Sequence, residues 1–300
     1  MPNNDLLQVA AVVIYYFPDE QAIKNTLALA HYLPVVVIDN TDSEWSDRAT
    51  QLAVKDNIVV IHNQQNLGVA KALNQGIRHW IAQGIDWCFL FDQDSQIDSD
   101  FIDTMLTELS KSESYVAAYV PLYYAENLQQ YGDIIQVTAN KLIRISAKQL
   151  DQSELIWASY AISSGSLINL ASYQAIGEHD ENLFIDFVDI EWGLRANALG
   201  YRMLTNAKAI LKQQLGDKPL FLFGMRIVNH SPIRHYYYFR NVVHMLRKQH
   251  VPLIWKRNEI LKLPIRFLLY GLFTTNRRQH IKAMLTGFGH GIKNKTGIKK

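Results

Sequence analysis

Asp92 and Asp94 stand two residues apart, directly after the apolar run 87–91. In extended chain, residues two apart project to the same side. Two converging carboxylates make a hard, oxygen-rich site suited to Mg²⁺ or Mn²⁺, which commonly bridges carboxylate to diphosphate. The same stretch also reads as a helix start, with Asp94, Ser95, Asp98 or Ser99 as the cap. A second acidic cluster holds Asp186, Asp189 and Glu191. A helix opening at Asp186 makes that residue the N-cap and Asp189 the acid three residues on. The same spacing puts both on one helix face, where a positioned carboxylate could take the proton from a hydroxyl. Spacing alone leaves capping and catalysis open.

These residues need a frame. Residues 9–16 form a β-branched and aromatic run that stops at Phe17-Pro18, as a strand does before a turn. A helix is expected over 19–31, with Asp19 and Glu20 well placed in its first turn. Strands follow at 35–38, 58–61 and 87–91, and helices at 69–83 and 101–109. Short apolar strands alternating with helices predict an α/β fold around a parallel sheet buried on both faces. Residues 115–169 read as strand-like pieces without a clear helix. Helices return over 186–199, closed by Gly200, and over 231–249, with Pro232 tolerated in the first turn. In such a sheet ligands bind beyond the carboxyl ends of the strands. Polar residues cluster there at Asp19, Asp39-Asn40 and Asp92-Gln93-Asp94. No Gly-x-Gly-x-x-Gly follows the first strand and no phosphate-loop motif occurs, which argues against a dinucleotide site. Gly287, Gly289 and Gly291 read as flexible linker.

With 300 residues, 48% hydrophobic and 19% charged, the chain is globular and long enough for a sizeable core. The single cysteine, Cys88, excludes an internal disulfide or a cysteine-based zinc site. The longest apolar run, residues 9–17, is far short of the roughly 20 residues a bilayer requires. No basic residue precedes that run, so a secretory leader is not expected and a reducing cytoplasm is the default address. The net charge of +2 hides an asymmetry. After Glu259 no acid occurs, while nine Lys and Arg follow, so residues 1–259 sum to −7. Such a segment suits a polyanion. Over 260–273 basic residues interrupt an apolar, aromatic series, as in an interfacial helix on anionic lipid; a terminal helix packed on the body is the alternative. The aromatics cluster with aliphatics instead of alternating with cations, which argues against nucleic acid.

Six segments occur in an order that resembles the inverting family 2 glycosyltransferases: Val-Val-Ile-Tyr-Tyr-Phe-Pro (12–18), Val-Ile-Asp-Asn (37–40), Asn-Leu-Gly-Val-Ala-Lys-Ala-Leu-Asn-Gln-Gly (66–76), Phe-Asp-Gln-Asp-Ser (91–95), Ser-Ser-Gly-Ser-Leu-Ile (163–168) and Phe-Ile-Asp-Phe-Val-Asp-Ile-Glu-Trp-Gly-Leu-Arg (184–195). His-Ser-Pro-Ile-Arg-His-Tyr-Tyr-Tyr-Phe-Arg-Asn (230–241) is similar to the rhamnosyltransferase branch. The resemblance, which covers roughly residues 8–245, implies a GT-A fold over 1–245, with a nucleotide-binding half over about 1–112 and an acceptor-binding half over about 113–245; the charge pattern adds a basic amphipathic helical segment over 246–300, expected to associate with membrane. It implies that Tyr16 stacks on the donor base and Asp39 hydrogen-bonds it. Asn66, Gly68, Lys71 and Asn74 flank the donor, and Asp92 and Asp94 form the aspartate motif, Asp94 being the direct ligand of Mg²⁺ or Mn²⁺. His230 completes the metal site.

Asp189 matches the catalytic base, with Val188 where the family more often has Glu. Glu191 supports that base, while Ser164, Gly165, Trp192 and Arg234 line the acceptor side. The implied activity is inverting transfer of L-rhamnose from dTDP-β-L-rhamnose to a saccharide, lipid-linked, in bacterial surface polysaccharide (O-antigen) synthesis, peripheral on the cytoplasmic face of the inner membrane. The rival within enzymes is a UDP donor carrying galactofuranose or glucose. The rival of another class is a polyanion-binding protein using the basic segment.

Overall fold

A computed structural model describes residues 7–42, 49, 52, 56–109, 113–150, 155–222 and 224–299. Residues 1–6, on which the expectation about a leader rests, lie outside them. The first half alternates as expected: β1 (Val9–Tyr15), α1 (Glu20–Leu29), β2 (Val35–Asp39), β3 (Ile58–His62), α2 (Val69–Ala82), β4 (Trp87–Asp92) and α3 (Ser99–Leu106). Strands β5 (Val116–Ala125), β6 (Gln130–Tyr131), β7 (Ile134–Val137), β8 (Leu142–Ile145), β9 (Leu155–Ala158) and β10 (Leu167–Asn169) come next. They lead to α4 (Leu170–Ile176), α5 (Val188–Ala198), β11 (Arg202–Gln213), β12 (Asp217–Leu222) and β13 (Met225–Asn229). Three helices follow, α6 (Pro232–Arg247), α7 (Leu253–Phe273) and α8 (Arg277–Ile292).

The main sheet runs in the order β3-β2-β1-β4-β10-β5-β11-β9, with β6 alongside β5. Strands β3, β2, β1 and β4 are parallel, and β10 enters antiparallel between β4 and β5. Both faces are covered. One carries α2 with Leu73, Ile77 and Trp80; the other carries α1 and α3 with Leu29, Phe101 and Met105. This two-sided burial is why β1 and β2 are continuously apolar, Ala10–Tyr15 and Val35–Ile38 being buried throughout. The Trp80 indole N–H donates to the Ala11 carbonyl at 2.9 Å and fixes α2 to the sheet.

The C-terminal helices depart from expectation in one respect. Gly287 and Gly291, read as linker, lie within α8 and face α6. A Cβ on Gly287 would strike the Tyr236 carbonyl, and one on Gly291 would come within 2.7 Å of the Arg240 carbonyl. The glycines let two backbones approach, and Gly289 between them faces open space. Residues 293–299 then fold back along α6. The Lys295 carbonyl meets His244 Nε2 at 2.9 Å, Arg240 holds the Gly297 carbonyl, and the Lys299 N–H donates to the Tyr237 hydroxyl at 2.9 Å.

Candidate active site

Register aligns the strand ends into a rim: Ile14 pairs with Asp92, Tyr15 with Asp39, and Asp39 with His62. At this rim β1 turns sharply. Phe17 adopts a left-handed φ of 49°, the Tyr16 N–H donates to Gln93 Oε1 at 2.8 Å, and the Phe17 N–H to Thr41 Oγ1 at 2.9 Å. Tyr15 is the core residue, while the Tyr16 ring is 47% exposed and meets Phe17 edge-on at 4.7 Å. An exposed ring at a sheet rim is free to stack on a planar ligand. Asp39 is wholly buried; one oxygen accepts from the Thr41 N–H and the other lies 2.9 Å from His62 Nδ1. It braces the turn that presents Tyr16. Gln93 is expected from sequence only as part of the polar cluster at the strand ends, and Thr41 is not singled out, although it follows Asp39 at the spacing of an Asx turn.

Beside this rim, Asn66 Oδ1 accepts the Gly68 N–H at 2.9 Å. Gly68 has φ 86°, and a Cβ there would fall 2.5 Å from the Phe184 ring, so only glycine fits. Lys71 lies half-buried in the first turn of α2. Asn74 stands apart from the expected donor contacts. Fully buried, it donates to the His179 carbonyl and Glu181, and accepts from the Tyr173 hydroxyl and the His179 N–H. It ties α2 to the chain before α5.

Asp92 closes β4. The Asp98 side chain caps α3 by accepting from the Phe101 N–H at 2.9 Å, which frees Asp94 from that duty. Ser164 is buried beneath the acidic turn, its hydroxyl 2.8 Å from Ser95 Oγ and 3.4 Å from the Asp92 N–H, and the Gly165 N–H donates to the Leu90 carbonyl. Both residues form the floor under Asp92. Asp92 and Asp94 stay open to solvent, yet the protein around them weakens their hydration. That enclosure, then the charges of Asp94 and Asp189, push Asp92 up to about 6 against the pull of Arg234. Asp94 is also raised, by burial first. Asp189 is half-buried near the start of α5, and burial lifts it to about 6 although it accepts the Ile190 N–H at 2.8 Å. A carboxylate of that strength, still ionised at neutral pH, can take a proton from an alcohol in the course of attack.

The turn before Asp189 is strained. Phe184, Asp186 and Phe187 all have φ between 64° and 66°, conformations that cost of order 1–3 kcal/mol each for such residues. Phe187 is the N-cap, so Asp186 does not cap α5 as its spacing predicts. Its carboxylate instead receives Arg234, Nη2 at 2.6 Å and Nε at 3.1 Å. The Asn241 amide donates to the carbonyls of Leu183, Ile185 and Asp186 at 2.7–3.0 Å, and Arg240 donates to those of Asn182 and Leu183. Tyr237 stacks on Phe184 at 4.9 Å. Helix α6 thus clamps the turn that aims Asp189.

Two expected site residues, Glu191 and Trp192, serve elsewhere. Glu191 is buried and ion-paired with Arg195, Lys248 and His250 at 3.0–3.3 Å. Burial opposes its charge, but His250 and Arg195 outweigh burial and hold it down at about 2. It anchors α5 to the segment after α6. Trp192 is buried between Tyr173 and His179 and donates to the Gly177 carbonyl at 2.9 Å, so it is core and not a platform for sugar. Burial first, and then the charge of Arg234, lower the His230 pKa from its ordinary value. Among the described residues no three His, Cys, Asp or Glu side chains gather into a metal-holding group, so His230 and Asp94 do not build a protein-only cage. The Asp92–Asp94 pair is nonetheless a fitting donor set for Mg²⁺ or Mn²⁺, since the mutual repulsion that raises Asp92 is what a cation relieves and such ions are usually held by one or two carboxylates plus phosphate oxygens.

Comparison with known proteins agrees with this geometry. Residues 11–177 match the family model of Glycosyl transferase family 2. The chain is 32% identical over 297 residues to dTDP-rhamnosyl transferase RfbF of Shigella flexneri, covering 96% of this chain and 97% of that one. It is 29% identical over 196 residues to galactofuranosyltransferase GlfT1 of Mycobacterium tuberculosis, covering 61% and 62%. The fold resembles that of S. aureus TarS 1–349 in complex with UDP-GlcNAc, with TM-score 0.56, 14% identity, and 96% and 82% of the two chains covered.

Proposed function

The chain belongs to glycosyl transferase family 2, and from that membership we propose that it transfers L-rhamnose from dTDP-β-L-rhamnose to a hydroxyl of a lipid-linked saccharide in bacterial surface polysaccharide synthesis. The relative similar over nearly its whole length is named a dTDP-rhamnosyl transferase, which supports the donor. The carrying observation is the approach of Asp189 to the Asp92 end of the rim, close enough for its charge to lift Asp92.

In this reading Tyr16 stacks on the thymine, and the diphosphate lies beyond β4. Mg²⁺ or Mn²⁺ held there by Asp94 and Asp92 would neutralise the departing nucleotide. The acceptor oxygen attacks the anomeric carbon from the face opposite the diphosphate, the carbon–oxygen bond to phosphate breaks, and the acceptor proton passes to Asp189. One displacement inverts the configuration. Arg234, committed to Asp186, sets the loop and keeps Asp189 on target. The protein works as a peripheral enzyme on the cytoplasmic face of the inner membrane; among the described residues no helix is long and apolar enough to cross one.

The test is calorimetric titration with dTDP-rhamnose, UDP-galactofuranose and UDP-glucose, with Mg²⁺ or Mn²⁺ and with EDTA. Binding of dTDP-rhamnose alone, strengthened by cation, is the expected result. Preference for UDP-galactofuranose would replace the donor, and binding of no nucleotide sugar would overturn the reading.

A further inference from the structure

Helix α7 turns its apolar residues the wrong way for a helix that merely packs on the body. Its inner face buries Trp255, Glu259 and Tyr270. Its outer face carries Leu261, Ile265, Leu268 and Leu272 at 68%, 66%, 58% and 52% exposure, spaced i, i+4, i+7 and i+11. Residues so spaced form one continuous stripe, and Ile260 and Phe273 widen it. The cations within this stretch point elsewhere. Lys262 pairs with Glu259 at 2.6 Å, and Arg266 lies over the Tyr238 ring at 4.3 Å. Exposed cations border the stripe instead: Arg257 before it, then Arg277, Arg278 and Lys282 where α8 begins.

We infer that the outer face of α7 is a docking surface for an anionic lipid bilayer, lying in the interface with Leu261, Ile265, Leu268 and Leu272 among the acyl chains and Arg257, Arg277, Arg278 and Lys282 at the headgroups. Charge selects this occupant over a second copy of the chain. From residue 260 onward the chain has nine cations and no acid, so a symmetric pair joined through α7 would bring two such segments together, whereas an anionic membrane neutralises them. The inference deepens the proposed function by naming the surface that brings the enzyme to a lipid-linked acceptor.

The experiment is flotation of the full chain with phosphatidylglycerol–phosphatidylethanolamine vesicles and with phosphatidylcholine vesicles, across a salt series and without nucleotide sugar. Wild type is expected to float with the anionic vesicles, less so as salt rises. The combined variant Leu261→Ser, Ile265→Ser, Leu268→Ser is expected to bind at least about tenfold more weakly at every salt. Arg277→Glu with Arg278→Glu is expected to lose binding at low salt and approach wild type at high salt. Unchanged melting temperature and dTDP binding confirm that the variants fold. Flotation of the triple variant equal to wild type would overturn the inference. So would a wild type that ignores vesicles and elutes as a dimer that the triple variant splits. Because flotation uses no donor, intact flotation without any transfer would refute the enzymatic reading alone.

Discussion

Asp92 carries its charge where burial, Asp94 and Asp189 all oppose it, so its carboxyl titrates at about 6 in the folded protein against an ordinary value of 3.8. Between those values the native state holds a proton that the unfolded chain has released. The charged form therefore penalises folding above pH 6, and the penalty fades as pH falls toward 4. Asp92→Asn should raise the melting temperature at pH 8, leave it nearly unchanged near pH 4, and remove activity. Calorimetric melting across pH checks this, and equal gains at both ends would refute it. For Asp189, base function needs the ionised form, so turnover should rise with pH through about 6. Asp189→Asn should bind donor as wild type does yet lose roughly 10²–10⁴-fold in transfer. A steady-state pH profile with a parallel donor titration reads both. Glu191→Gln should act differently, leaving Lys248, Arg195 and His250 without their buried counter-charge. A loss of roughly 3 kcal/mol in chemical denaturation is expected, with the position of the acid limb unmoved.

The clamp formed by α6 is the element on which aim depends. Asn241→Leu deprives the Ile185 and Asp186 carbonyls of their donor, while Leu183 keeps Arg240; each orphaned carbonyl costs about 1–3 kcal/mol when left buried and unpaired. The strained turn should relax, lowering turnover at least tenfold while donor affinity, which the proposed function assigns to the Tyr16 turn and the Asp92–Asp94 pair, changes little. A fall confined to donor affinity would refute the clamp. Helical periodicity alone puts Arg234, Tyr237 and Asn241 on one face, because that follows from chain geometry. What the face grips was not legible. Phenylalanines disfavour positive φ, and nothing local announces that Phe184 and Phe187 adopt it. Asp186 looked like a cap because its spacing fits one; the distant Arg234 takes its carboxylate instead. The strand–helix alternation of the first half was readable because two-sided burial demands continuous apolar runs. Trp192 and Asn74 were misplaced because family position says where a residue lies in the chain and not whether neighbours from α4 and the chain before α5 enclose it.

Across the whole molecule, α8 and the segment after it close over α6, and the close approach at Gly287 and Gly291 makes that closure sensitive to size. Gly291→Val should cost about 1–3 kcal/mol through overpacking against Arg240 and Val243. It should also loosen the clamp, because Arg240 binds both the Gly297 carbonyl and the strained turn. Denaturant melts alongside turnover would show the two losses together. The long-range order of the sheet was hidden in the sequence, since nothing near residues 167–169 states that β10 slips in between β4 and β5. That insertion has a consequence for dissecting the enzyme. A fragment ending near residue 112 would keep Tyr16, Asp39, Asp92 and Asp94, yet it would lack the strand that covers one edge of β4. Bare amide and carbonyl groups along Trp87–Asp92, flanked by apolar faces, are a template for strand addition from another chain. The N-terminal half should therefore aggregate when made alone.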